Sequence, residues 1–160
     1  MSSLKPEDLA TDIDIILLVV TRWRDFDNRK TIRQSWGKPR KKSGYGLKFK
    51  TLFVVNFDTT YGNNLHFYMK IRKIQNENKK FRDLIITKVE DNYKTVGLKL
   101  LSSFYWLSLL KMPSSLKWIV KLDDDVIVNV SKLEEYLSNV NIDQGSLDLN
   151  FQPFLVLGFM

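Results

Sequence analysis

The apolar run IDIILLVV, residues 13–20, is the feature that most constrains how this chain folds. It is far shorter than the ~20 residues that a membrane-spanning helix requires, and it contains Asp14. No basic region precedes the run, so it does not match a secretory signal peptide. Continuously apolar runs of this length are typical of strands that a parallel sheet buries on both faces. We therefore predict that residues 13–21 form the first strand of such a sheet.

Apolar and amphipathic segments alternate along the rest of the chain. Further strands are predicted at residues 50–57, within 83–91 and at 118–122, and helices at 28–36, 63–79, 95–111 and 131–137. Asp25 or Asp27 is expected to cap the first of these helices, and Gly37 to close it. Strands that alternate with helices predict an α/β fold with a mainly parallel sheet.

Composition excludes several kinds of site and leaves the partner open. The 160 residues include no cysteine, which excludes disulfides and thiolate metal sites, and the single histidine, His66, excludes a multi-histidine zinc site. The net charge of +7 favours an anionic partner. A nucleic-acid-binding domain is disfavoured, because neither an RRM-type aromatic signature nor a helix-turn-helix accompanies the basic residues. We predict no nucleic-acid partner.

Three adjacent carboxylates, Asp123, Asp124 and Asp125, follow the predicted fourth strand directly. Ligands of parallel α/β sheets bind beyond the carboxyl ends of the strands, which is where this segment lies. Hard cations such as Mg²⁺ and Mn²⁺ take carboxylate oxygens and bridge them to substrate phosphates. The segment therefore suits a metal that neutralises a diphosphate leaving group. The alternative is a solvated turn in which one aspartate caps the next helix.

Three blocks of the sequence, in order, resemble the β-1,3-galactosyltransferase and β-1,3-N-acetylglucosaminyltransferase family. The carboxylate segment VKLDDDVIVNVSKLEEYL, residues 120–137, resembles its metal-binding segment. RKTIRQSWG, residues 29–37, is similar to its RRxxIRxTWG signature, with Lys30 and Ser35 as conservative departures. DLIITKVEDNYKTVGLKLLSSFYWL, residues 83–107, resembles a third family block. The resemblance spans residues 13 to about 137 of the chain.

This resemblance implies a GT-A-like, Rossmann-like nucleotide-sugar-binding fold and an inverting mechanism. It implies a UDP-sugar donor, Mn²⁺ as the metal, and an acceptor glycan carried by a glycoprotein or glycolipid. It also implies a location on the luminal side of the Golgi membrane, with attachment through an N-terminal anchor that this sequence does not contain.

The family motifs assign donor-site roles to particular residues of this chain. By resemblance, Asp125 holds the metal, while Asp123 and Asp124 assist with the metal or contact ribose and sugar hydroxyls. Arg29 and Arg33 fall at the donor site, where arginine suits bidentate phosphate recognition.

Two further motif residues, Asp91 and Lys99, fall near the donor pocket by the same resemblance. Structural alternatives remain for all four residues outside the triple aspartate. Asp91 and Lys99 are equally explained by an internal ion pair that orients a helix. The two arginines are equally explained by a helix-surface role or by ion pairs with nearby acids, namely Asp25, Asp27 or Glu90.

The chain departs from the family by stopping at Met160, before the acceptor-binding elements and the acidic catalytic base. Glu134 and Glu135 fall on an amphipathic helix and are not persuasive bases, so we expect the base to lie beyond Met160. Residues 1–12 are interpreted as a leader and 13–160 as a partial, donor-binding glycosyltransferase domain.

Two functions follow. One is a hexosyltransferase that moves galactose or N-acetylglucosamine from a UDP-sugar to a glycan hydroxyl, in β-1,3 linkage with inversion. The other is a catalytically inactive nucleotide-sugar-binding or interaction module.

Overall fold

The computed structural model describes residues 9, 12–39, 46–56, 65–89, 92–110, 112–140 and 154–155, with only the backbone described for 65–67, 93, 154 and 155. Within these ranges the strands are β1 (Ile15–Thr21), β2 (Phe49–Asn56), β3 (Leu84–Thr87), β4 (Trp118–Asp123) and β5 (Phe154–Leu155). The helices are α1 (Phe26–Gln34), α2 (Leu65–Phe81), α3 (Val96–Ser108) and α4 (Val130–Asn139), with a 3₁₀ turn at Tyr93–Thr95 before α3. The predicted α/β alternation is confirmed.

The strands form one sheet in the order β3-β2-β1-β4-β5, and every pairing between neighbours is parallel. The chain therefore adds strands in one direction from β1 to β3, then crosses back so that β4 pairs with the other side of β1. Such a reversal is a topological switch point, and ligands of open α/β sheets bind at the carboxyl ends of the strands that flank it. Here those strands are β1 and β4.

Alternate residues of β1 point into two different hydrophobic clusters, because successive side chains of a strand face opposite sides. Ile15, Leu17 and Val19 join a cluster with residues of α1, α2 and α4. Ile16 and Leu18 join a second cluster with Leu107 of α3 and with Leu9. Both faces of the central strand are therefore buried, which explains why its sequence is continuously apolar.

Helix α1 begins earlier than predicted and is not capped by an aspartate side chain. Asp25 occupies the N-cap position, but its carboxylate makes no capping hydrogen bond. The helix ends at Gln34 with Ser35 as its C-cap, and Gly37 lies in the turn beyond, where its N–H donates to the Ile32 carbonyl at 2.9 Å. A Cβ at Gly37 would lie 2.6 Å from Cγ2 of Ile32, so the close approach requires glycine. Helix α4 is capped by Asn129, whose side chain accepts from the Lys132 N–H, and not by an aspartate.

Helix α3 faces the sheet with an unexpected set of side chains. Its buried residues are Lys99, Ser103 and Leu107, one helical turn apart. Several of its apolar side chains are instead more than half exposed, namely Leu98, Leu101 and Tyr105, as is Leu109 just beyond its end. Apolar character in this helix therefore does not mark the face that contacts the sheet.

Candidate donor site at the carboxyl edge of β1 and β4

The carboxyl ends of β1 and β4 lie side by side, because Val20 is in register with Asp123. Thr21 ends β1, and Asp124 begins the turn that follows β4. The Thr21 hydroxyl lies 2.7 Å from Oδ2 of Asp124, a hydrogen bond between residues 103 positions apart in the chain. The switch point thus holds one of the three predicted carboxylates directly against the central strand.

Thr21 is also contacted by two cations from opposite faces of the sheet. Nη1 of Arg29, on α1, donates to the Thr21 hydroxyl at 3.3 Å. Nζ of Lys99, on α3, donates to the Thr21 carbonyl at 2.5 Å. Three predicted donor-site residues, Arg29, Lys99 and Asp124, are therefore brought together on one threonine, although none of them lies near another in the sequence.

The other two carboxylates of the triple aspartate are exposed. Nζ of Lys121 donates to both oxygens of Asp123, at 2.8 and 2.7 Å, which is possible because residues two apart on a strand share a face. Asp125 is exposed, and no described residue pairs with it. The strand ends at Asp123 and a turn follows. Such a turn is required if Asp123 and Asp125 are to bind the same ligand.

The aspartate carboxylates suit a hard cation, but the described side chains alone do not form a complete metal site. Among the described residues, no three His, Asp or Glu side chains come close enough together to hold a metal ion. Mg²⁺-type ions are commonly held by one or two carboxylates, with waters and substrate phosphates completing the shell. Exposed aspartate oxygens at a sheet edge fit that mode of binding.

Arg29 is a fully buried residue whose hydrogen-bonding capacity is used within the protein. Nε and Nη2 form a bidentate pair with the carboxylate of Glu77 at 2.8 and 2.7 Å. Nη1 and Nη2 also donate to the carbonyls of Arg22 and Trp23, at 2.7 and 3.1 Å. Together with its contact to Thr21, these bonds use all the N–H donors of a guanidinium. Arg29 therefore supports the carboxyl end of β1 from inside the protein. Its ion-pair partner is Glu77, not Asp25 or Asp27.

Arg33 lies one helical turn further along α1 and is held away from the donor edge. Its Nε and Nη2 bind the two oxygens of Asp83, at 2.7 and 2.8 Å, and Nη1 binds Glu77 at 2.8 Å. Asp83 precedes β3, so this pair lies on the amino side of that strand. Burial lowers the pKa of Arg33, but the hydrogen bonds and charges of Asp83 and Glu77 outweigh it, so the net pKa is raised. Arg33 stays charged and paired.

The remaining predicted donor-site residue, Asp91, lies outside the described residues, as does Glu90. Lys99 has its side chain buried against the end of β1, which suits an internal structural cation as well as a donor-site one. The structure thus gathers Arg29, Lys99 and Asp124 at Thr21, leaves Asp123 and Asp125 at the rim, and separates Arg33 from them.

Comparison with known proteins places this arrangement in a family. A family profile described as galactosyltransferase matches residues 27–152, which is more than half of the chain. The chain belongs to the galactosyltransferase family. The match includes α1 with both arginines, the lysine of α3 and the triple aspartate after β4.

Individual members of the galactosyltransferase family match the same region. Lactosylceramide 1,3-N-acetyl-beta-D-glucosaminyltransferase B of Xenopus laevis is 31% identical over 136 residues, which are 84% of this chain and 35% of that protein. Beta-1,3-galactosyltransferase 1 of Homo sapiens is 29% identical over 119 residues, 74% of this chain and 33% of that protein. The chain spans about a third of the length of these relatives. In the part that the structure describes, no helix has the length and apolarity needed to cross a membrane.

Two residues that matter for this galactosyltransferase-family site were missed by sequence reasoning. Thr21 is the last residue of an apolar strand, and a single polar residue at the carboxyl end of a predicted strand is a signal that was available. Glu77 lies in an amphipathic helix rich in lysine, and it is 48 residues from Arg29. Nothing in its local sequence distinguishes it from a solvent-exposed acid.

Proposed function

We propose that this chain is the donor-binding part of a β-1,3-hexosyltransferase that uses a UDP-sugar. Support comes from family membership together with one observation, the meeting of Thr21 and the triple aspartate at the topological switch point. In the proposed reaction, the acceptor hydroxyl oxygen bonds to the anomeric carbon as the bond from that carbon to the UDP phosphate oxygen breaks. Galactose or N-acetylglucosamine is thereby transferred with inversion, and the hydroxyl proton goes to a general base.

The metal proposed for this site is Mn²⁺, held by Asp125 with help from Asp123. When bound, such an ion supplies charge neutralisation for the diphosphate leaving group. Asp125 is the stronger candidate ligand because its carboxylate is exposed, whereas Asp123 is paired with Lys121. Asp124 is tied to Thr21, so we propose that it positions the turn and presents its other oxygen to donor hydroxyls.

The other predicted donor-site residues are proposed to support the site in two ways. Arg29 and Lys99 hold the end of β1 and offset the negative charge of the carboxylates. Arg33 and Asp91 complete the proposed set, Arg33 through its shared partner Glu77. Because Arg29 already uses its N–H donors, we propose that it acts on the donor through the strand end that it supports.

Calorimetric titration of UDP into the chain, with Mn²⁺ and then with EDTA, tests the donor site. We expect metal-dependent binding that Asp125→Ala abolishes. Asp12→Ala is a matched control, since Asp12 is an exposed aspartate paired with Lys48 near the opposite, amino edge of the sheet. Absence of UDP binding to a chain that unfolds cooperatively would refute the proposal.

The alternative, a catalytically inactive binding module, is separated from the enzyme by a transfer assay. Radiolabelled UDP-galactose and UDP-N-acetylglucosamine are supplied with glycan acceptors ending in galactose or N-acetylglucosamine. Transfer, lost in Asp125→Ala, supports the enzyme. Metal-dependent UDP binding without transfer supports the module.

We also propose, from the family resemblance, that the protein acts on the luminal side of the Golgi membrane on glycoprotein or glycolipid glycans. Expression of the tagged protein in cells, with protease protection of the tag in sealed Golgi vesicles, tests this location. A tag that protease removes from intact vesicles would contradict it.

A further inference from the structure

The end of β1 is the point where the charged groups of the donor edge converge. The Thr21 residue is only 2% exposed, yet its two oxygens contact groups from α1, α3 and the turn after β4. A buried hydroxyl on an apolar strand needs hydrogen-bond partners, and here two of them, Asp124 and Arg29, are charged. Thr21 therefore does more than complete a strand, because it joins three charged side chains through its hydroxyl and its carbonyl.

The direction of the hydroxyl proton follows from the distances. The oxygen of Thr21 lies 2.7 Å from a carboxylate oxygen of Asp124 and 3.3 Å from the carbonyl of Arg22. A hydroxyl has one proton, and the shorter contact to a charged acceptor is the stronger hydrogen bond. The proton therefore points to Asp124, and the lone pairs accept from Nη1 of Arg29.

We propose that Thr21 is a positioning residue for the donor site: its hydroxyl locks Asp124, and with it the turn that carries Asp125. This inference rests on the proposed function, because it assigns a role in binding metal and diphosphate at the triple aspartate. Asp124 and Asp125 form the turn directly after β4, and the Thr21 bond is the described contact that ties Asp124 to the sheet. Without that bond, the Asp124 carboxylate loses its described hydrogen bond to β1, although Val126, which follows the turn, still packs against the core.

The geometry links this turn to the buried ion network. Glu77 holds the guanidinium of Arg29, which contacts Thr21, which in turn holds Asp124. Residues that orient metal ligands by hydrogen bonding commonly change metal affinity by 10–100-fold when they are replaced. The effect expected here is on the affinity for metal and diphosphate, and not on the fold.

Two substitutions at Thr21 separate the hydroxyl from the shape of the side chain. Thr21→Val keeps the branched shape and removes the hydroxyl, whereas Thr21→Ser keeps the hydroxyl. Thr51→Val is the matched control, because Thr51 is also a buried strand threonine, and its hydroxyl donates to the carbonyl of Gly37 at 3.0 Å, away from the donor edge. UDP is titrated into each variant with Mn²⁺ and with EDTA.

We expect Thr21→Val to weaken Mn²⁺-dependent UDP binding at least about tenfold. Thr21→Ser should bind within about threefold of the unmodified chain, and Thr51→Val should bind as the unmodified chain does. Equal binding by Thr21→Val, or equal loss in Thr51→Val, would overturn the inference. If the unmodified chain does not bind UDP, the proposed function fails instead.

Amide hydrogen exchange tests the positioning role without any ligand. In Thr21→Val the amides of residues 124–126 should exchange at least about tenfold faster than in the unmodified chain, while β4 keeps its protection. Thr51→Val should leave those amides unchanged. Unaltered exchange at 124–126 in Thr21→Val would contradict the positioning role whether or not UDP binds.

Discussion

Glu77 and Glu134 are two buried glutamates on helices that pack on the same face of the sheet, and their surroundings are opposite. Glu77 is 8% exposed and receives three N–H donors from Arg29 and Arg33. Glu134 is 1% exposed, and no hydrogen bond reaches either of its carboxylate oxygens from the described residues. The same side chain therefore stabilises the fold at one site and costs free energy at the other, because partners and not residue type decide the balance.

The largest effect is expected where the paired carboxylate loses its charge. Glu77→Gln should lower the free energy of unfolding by about 3–5 kcal/mol, since Arg29 stays buried without its counter-charge. Urea denaturation monitored by circular dichroism measures this change. A loss below about 1 kcal/mol would mean that the arginines find other partners, which would remove the contrast with Glu134.

Arg33→Lys tests whether the geometry of the network matters as well as its charge. Arginine donates to Asp83 twice and to Glu77 once, and its guanidinium carbon lies 4.7 and 4.1 Å from the ring centroids of Phe53 and Phe81. A lysine keeps the charge but loses the planar fork and the stacking. We expect a loss of about 1.5–3 kcal/mol in the same denaturation experiment. An unchanged midpoint would show that charge alone suffices.

Glu134→Leu should act in the opposite direction. Removing a buried carboxylate without partners removes its desolvation cost, so we expect the free energy of unfolding to rise by about 1–3 kcal/mol. Val130 and Leu137, one turn to either side of Glu134, are core residues, so a leucine there continues an apolar stripe. Destabilisation by Glu134→Leu would indicate that the carboxylate has a partner outside the described residues.

Glu135→Ala is the matched variant with a small expected effect. Glu135 is the neighbouring glutamate of α4, and it pairs with the exposed Lys132 at 2.8 Å. Exposed ion pairs of this kind contribute little, so the change should stay within about 0.5 kcal/mol. A larger loss would show that acidity of α4 itself, and not burial, controls stability at this helix.

A change of pH should not alter the contribution of Arg33 to the free energy of unfolding. A raised pKa contributes stability that is fully present below the pKa of the unfolded state and is lost as pH rises through the folded-state value. For Arg33 both values lie far above neutral pH, so its contribution is constant between about pH 6 and 9. The stability difference between the unmodified chain and Arg33→Lys should therefore be flat across this range. A slope would point to another titrating group.

The sequence was sufficient to predict the α/β alternation and the location of the triple aspartate, because continuous apolar runs and turn residues are local signals. The side-chain partners were not local. For Arg29 the sequence predicts a donor-site role or, as the alternative, a helix-surface role or an ion pair with a nearby acid, but the side chain faces inward and pairs with Glu77 of α2, 48 residues away. Helix α3 shows the same limit, since its lysine is buried while its apolar Leu101 and Tyr105 are exposed. Glu134 gave a usable signal, as its spacing from Val130 and Leu137 puts it on the core face.

The contact between Thr21 and Asp124 also has a consequence for how the chain acquires its fold. Residues 103 positions apart must meet, so the donor edge forms only after nearly all of the described chain has been synthesised. Pairings that close long loops are slow, since chain entropy is lost before the contacts form. Until β4 arrives, one side of β1 remains an unpaired, apolar strand edge, the kind of surface that recruits other chains. Before β4 pairs, nascent chains are therefore exposed to aggregation and depend on chaperones, and the pairing that ends this exposure also completes the proposed donor site.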